Sequence, residues 1–152
     1  LDAEFDDRQQ ALDGFLGAAC AIHLVATVAV MAESRDLQKS VGSGDGAWFV
    51  SADISGRGQL RGADGQPTSL AADAPFTPTV YLYDAFPGGV GLSAPLFERR
   101  EDLIAQSQSL IERCDCRGGC PACVGPVLAA DEDAHARPKA AALRVLALLA
   151  AL

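Results

Sequence analysis

Cys114-Asp-Cys116-Arg-Gly-Gly-Cys120-Pro-Ala-Cys123 gathers four of the chain's five cysteines into one short run, spaced C-x-C-x3-C-x2-C. Thiolates are preferred ligands of Zn²⁺, and four of them complete the tetrahedral shell of a structural site. Gly118 and Gly119 leave the backbone free to bring two ligand pairs round one ion. The Cys120-Pro-Ala-Cys123 step has the short spacing of zinc knuckles. The expected metal ligands are therefore Cys114, Cys116, Cys120 and Cys123, round one structural zinc. Sulfur would fill every coordination position, so zinc-bound water and zinc catalysis are not expected.

Other fates for these thiols compete with zinc. Disulfides need an oxidising compartment, no secretory pattern is read in the chain, and an odd thiol, Cys20, would be left over. A Cys114–Cys116 bridge would also close a loop too tight for relaxed disulfide geometry. Fe–S clusters use four thiolates too, although in runs spaced differently from this one. Unliganded thiols at this density would be a coincidence. Zinc and a cytoplasmic location are the expectations.

Length and composition bound the rest. At 152 residues, nearly half of them apolar, the chain is expected to form one domain, 1–152, with a real core. A net charge of −8 counts against a free-standing nucleic-acid binder, which would show a basic footprint. Arg99, Arg100, Arg113 and Arg117 are interleaved with Glu98, Glu101, Asp102, Glu112 and Asp115, which reads as a solvated helix face. The chain opens on Leu1 and not on Met, and it is expected to be a piece of a longer protein.

Outward from the cysteines, Leu96, Phe97, Leu103, Ile104, Leu110 and Ile111 recur at helical spacing, predicting a helix from about Ala94 to Arg113 that runs straight into Cys114. Thr79–Asp84 is the clearest strand. Trp48–Ile54 reads as another, Gln59–Arg61 as a short third, and Gly42–Gly46 as a turn. The stretch 42–78 is expected to be a variable or partly disordered insertion. A long helix is expected from Phe5 to Ala32, with Asp6 and Asp7 in its first turn. Its apolar part, Phe15–Met31, is shorter than the ~20 residues a membrane span needs, so a buried helix is expected, with Cys20 and His23 as core residues. Lys139–Leu152 reads as an Ala/Leu-rich helix docked on the core, after a polar connector over Pro126–Arg137 that carries an isolated His135.

The turn Asp84-Ala-Phe-Pro87-Gly88-Gly89-Val90-Gly91 lies between a strand and a helix, where glycines can let backbone approach a phosphate. It lacks the lysine of a P-loop and the spacing of a dinucleotide fold. A tight turn packed beneath the cysteine loop is the simpler expectation. No catalytic residue is assigned, because the chain shows no Ser/His/Asp set and no paired carboxylates.

Taken together and in order, Tyr83-Asp84-x-x-Pro87-Gly88-Gly89-x-Gly91, a helix of some twenty residues, and Cys-x-Cys-x-x-Gly-Cys-Pro-x-Cys resemble the MrfA-type zinc-binding domain. That domain sits at the C-terminus of superfamily 2 DNA helicases of the DEAD/DEAH-box type implicated in DNA repair, so the resemblance implies a C-terminal fragment of a larger helicase. The likeness extends to the long first helix, Asp36-Leu37, and Lys139 with the last helix; Gly42–Pro78 matches least. It implies that Cys114, Cys116, Cys120 and Cys123 hold zinc. It also implies a helicase accessory domain that is not itself an enzyme, because neither a Walker A lysine loop nor a D-E-x-H box is present. ATP and Mg²⁺ would belong to motor domains elsewhere in the parent chain. The partners implied are those motor domains, and DNA in the full-length context, with no membrane. The expected architecture is α+β: a small sheet packed by about three helices, with a zinc-pinned turn. The rival from another class is a zinc-stabilised protein-interaction module that never touches nucleic acid. A stand-alone enzyme using the glycine turn as a phosphate site comes third.

Overall fold

An almost unbroken apolar run makes the first helix a core element with several buried faces. In the computed structural model, which describes residues 5, 8–43, 48–50, 59–61, 77–126 and 138–152, this helix, α1, spans Arg8–Ala29. It starts later than expected, and Asp6 and Asp7 lie outside the described residues. Its end is a Schellman turn: the Ala32 amide donates to Thr27 O (3.0 Å) and the Met31 amide to Val28 O (3.2 Å). Met31 takes the left-handed position usually given to glycine, at φ 52°, and its side chain projects into solvent.

The expected argument from span length does not hold. Gln10–Ala29 provides 20 residues of mean hydropathy 1.7, long and apolar enough to cross a membrane by length and composition. What α1 does in this fold is pack, with 61% of that window buried inside the domain. Leu12, Phe15, Ala18, Ala19, Ala21 and Ile22 enter the main core with Ile111, Val124, Val145 and Leu146.

Four strands follow: β1 (Leu37–Ser43), β2 (Trp48–Val50), β3 (Gln59–Arg61) and β4 (Pro78–Asp84). All neighbours are antiparallel, in the order β3-β2-β1-β4. The β1–β4 ladder runs from Leu37 opposite Asp84 to Ser43 opposite Pro78. Along β4, half-buried and exposed residues alternate, as a sheet covered on one face requires. β1 corrects the sequence reading, which placed a turn at Gly42–Gly46; Gly42 and Ser43 are ladder residues. Local propensity gives no strand signal for Leu-Gln-Lys-Ser-Val-Gly-Ser, and pairing with β4 overrides it. Of the stretch 42–78, residues 44–47, 51–58 and 62–76 lie outside the described residues.

The single helix expected over 94–113 is two: α2 (Ser93–Glu98) and α3 (Arg100–Glu112). No Pro or Gly marks the break at Arg99. α2 is tied at its start to Asp84, whereas α3 sets Leu103, Ser107 and Ile111 into the interior. The bend lets both anchors hold. Leu96 and Leu103 then meet Ala26 and Leu37 in a second, smaller core. The described helices thus number four, counting α4 (Pro138–Ala150). The connector from 127 to 137, His135 included, lies outside the described residues.

α4 lies against α1 across small side chains. A Cβ on Gly14 would stand 2.8 Å from Ala141 O, and one on Gly17 would stand 3.1 Å from Ala142 Cβ. Only glycine permits the first approach.

Candidate metal centre

α3 delivers the chain into the cysteine loop, and α4 and α1 hold its far side. The Cys123 and Val124 amides both donate to Cys120 O (3.1 and 3.0 Å), closing the C-x2-C step into a tight turn with Pro121 at its corner. Gly119 (φ 125°) is the hinge before this turn. A side chain there would meet Val124 Cγ2 at 2.8 Å and Pro138 Cγ at 3.0 Å. Cys123 and Val124 are buried in the main core, so the loop's second half is anchored on α1.

The four expected ligands converge. Their Sγ atoms all lie within 4.8 Å of one another. Cys114–Cys120, Cys116–Cys123 and Cys120–Cys123 stand 3.6, 3.5 and 3.7 Å apart. Four sulfurs at ~2.3 Å from one tetrahedral ion would be ~3.8 Å apart, so the donor set fits Zn²⁺. The thiols are unequal: the Ala122 amide brings Cys120 down to about 7, while burial pushes Cys123 up to about 12. A dication at the centre supplies the charge that lets all four ionise together.

The remaining candidates fall outside this cluster. Cys20 lies on α1 against Gly125, close enough that no Cβ could fit there, and burial raises its thiol against the opposing pull of Lys39. Buried His23 donates from Nε2 to Leu37 O (2.8 Å), tying α1 to β1 as an ordinary core histidine.

The glycine turn is not packed beneath the cysteine loop as expected. Residues 85–91 are exposed, and Gly88, Gly89 and Gly91 take φ of 87°, 69° and 86°. Asp84 organises the turn: its carboxylate accepts from the amides of Val90 (3.1 Å), Leu92 (3.0 Å) and Ser93 (3.3 Å), and from Ser93 Oγ (2.9 Å). These bonds, the Leu92 amide foremost, lower Asp84 to about 2. Its stabilising contribution is therefore complete above the unfolded carboxylate value of 3.8 and is lost as pH falls through about 2. Asp84→Asn should lower the melting temperature at neutral pH. The gap between wild type and variant should close between pH 4 and 2 in thermal melts; a gap unchanged across that window would refute the assignment. Sequence reading missed this role, although Asp ahead of a Pro-Gly-Gly turn is a known turn signal.

Lys139 was also missed as a site residue. Its ammonium donates to Cys114 O (2.5 Å) and Cys116 O (3.1 Å), and its amide donates to Gly118 O (3.0 Å). Its local sequence carries no metal-site signal.

Comparison with known proteins identifies a family whose match spans the cysteine loop. Residues 18–124 match the model of the MrfA Zn-binding domain. The chain belongs to that family. Over 48 residues it is 46% identical to an uncharacterised ATP-dependent helicase, YprA, of Bacillus subtilis strain 168, covering 32% of this chain and 6% of that protein. An uncharacterised protein of Methanocaldococcus jannaschii is 38% identical over 45 residues, 30% of this chain and 40% of that protein. The crystal structure of the DUF1998 helicase MrfA bound to DNA superposes with a TM-score of 0.63 at 23% identity, over 98% of this chain and 16% of the helicase. The chain thus spans a small part of the helicases it resembles.

Proposed function

We propose that this MrfA-type domain binds one structural zinc through Cys114, Cys116, Cys120 and Cys123, and serves as an accessory domain of an ATP-dependent DNA helicase acting in DNA repair. The observation that carries the reading is the convergence of four sulfurs at tetrahedral spacing in a chain of this family. All four donors are protein thiolates, so the site braces and does not catalyse. The end of α3, the start of α4 and the middle of α1 meet at the loop, and holding them together is the chain's own contribution. ATP and Mg²⁺ belong to motor domains of the parent chain, which are this domain's partners, with DNA bound in that context. Thiolates kept as metal ligands suit a reducing, cytoplasmic setting. The burial of most of α1 supports a domain that packs this helix inward, away from lipid.

The net charge of −8 favours a second reading, a zinc-stabilised protein-interaction module without nucleic-acid contact. One set of measurements separates the two. Freshly purified, reduced protein should contain one zinc per chain, with a four-sulfur shell by X-ray absorption; iron, or nitrogen and oxygen ligands, would overturn the site. Oxidised preparations are not a fair test, because disulfides displace the metal. The domain alone should hydrolyse no ATP. In the full-length parent, Cys114→Ser should impair DNA-dependent unwinding. Unimpaired unwinding by a metal-free parent would leave the interaction module standing.

A further inference from the structure

We propose that Lys139 is a positioning residue for the metal centre, linking zinc affinity in the cysteine loop to the docking of α4 on α1. The proposal rests on the zinc reading above and goes beyond it, since Lys139 is not a ligand. One residue grips the loop at three carbonyls. Nζ holds those of Cys114 and Cys116, the first ligand pair, and the main-chain amide holds that of Gly118, between the two pairs. Pro138 and the Lys139 amide lie 3.0 and 3.4 Å from where a side chain on Gly119 would begin. The first turn of α4 is therefore seated directly on the Gly118-Gly119 step.

Charge gives these contacts their direction. Four thiolates round one dication carry a net charge of −2. The half-buried Lys139 ammonium, on the carbonyls of Cys114 and Cys116, and the positive, N-terminal end of α4, on that of Gly118, both sit at this loop. Both favour the metal-bound loop over the empty one. They also hold the carbonyls of two ligand residues and so fix where their sulfurs point, as partners outside the coordination shell do in other metal sites.

Further along α4, Ala141 and Ala142 lie on the Gly14–Gly17 surface of α1, and Val145 and Leu146 enter the main core. The helix therefore carries the loop's geometry into the interior. Coupling of this kind is reciprocal: the extent to which bound zinc favours a docked α4 equals the extent to which a docked α4 tightens zinc.

The test uses the whole 152-residue chain. Zinc affinity and release are read by chelator competition, the thiolate shell by the absorption of the Co²⁺ form, and α4 by amide hydrogen exchange. Lys139→Met should weaken zinc binding by about 10-fold or more, keep a four-sulfur Co²⁺ spectrum, and speed exchange along α4. Lys139→Arg should recover most of the affinity, because it restores the charge and the donors. Val145→Ala, which thins the packing of α4 away from the loop, should cost less zinc affinity at a matched loss of melting temperature. If Lys139→Met is insoluble, Lys139→Gln against Lys139→Arg carries the same contrast. Equal zinc affinity and release in wild type and the neutral variant would overturn the proposal. So would an arginine variant no better than the neutral one, or a Val145→Ala loss as large. A wild-type chain that binds neither metal removes the zinc reading itself, and this proposal with it.

Discussion

Replacing Cys123 by serine is expected to cost about 5 kcal/mol or more of metal-linked folding energy, lowering the melting temperature on the order of 10–20 °C at this chain length. Two losses coincide there. Cys123 is a proposed ligand, and at 1% exposure it is also part of the main core, so a serine hydroxyl would be left buried where sulfur was. Cys120→Ser should fall nearly as far. Cys20→Ser should fall much less, because Cys20 lies outside the sulfur cluster. Calorimetry with and without a strong chelator checks the assignment: stripping metal from wild type should bring its melting curve close to that of the Cys123 variant. Equal losses for Cys20, Cys120 and Cys123 would mean that the cysteines do not act as a metal set.

Gly125→Ala is expected to cost about 2–5 kcal/mol. Gly125 sits at φ 81°, where any L side chain costs ~1–2 kcal/mol. The added Cβ would overlap Cys20 Sγ and come within 3.0 Å of Cys20 Cβ, and overpacking of this kind typically costs ~1–3 kcal/mol. The two costs can be separated. Combining Gly125→Ala with Cys20→Ala removes the Sγ overlap and leaves only the close Cβ contact, so the double variant should recover most of the packing loss and keep the conformational one. Denaturant unfolding of the four proteins gives the coupling. A neutral Gly125→Ala would show that the chain can leave this conformation freely.

The features legible in the sequence are those written in local chemistry. The four thiols announce themselves by type and spacing, and the structure brings all four together. Thr79–Asp84 and the last helix follow from bulky β-branched and Ala/Leu patterns, and they appear nearly where expected. His23 is the satisfied core residue its apolar neighbours imply. What stayed hidden depends on partners distant in sequence. β1 is a strand because β4 lies beside it, despite Gly42 and Lys39 within it. The break at Arg99 comes from anchoring α2 to Asp84, with no breaker in the sequence to reveal it. Lys139 bonds to Cys114, a residue far back along the chain, and Cys20 meets Gly125 from even further away. Spacing rules cannot reach across such separations.

The close fit of α1 to α4 also fixes when this domain can exist during synthesis. α1 leaves the ribosome before α4 and carries an apolar stretch as long as a membrane span. The surface that covers Gly14 and Gly17 belongs to α4, which begins only at Pro138. Until that helix has been translated, the nascent chain displays α1 with one side uncovered, and the cysteine loop lacks Lys139. The apolar side of α1 is therefore covered, and the loop gripped, only once α4 has been made.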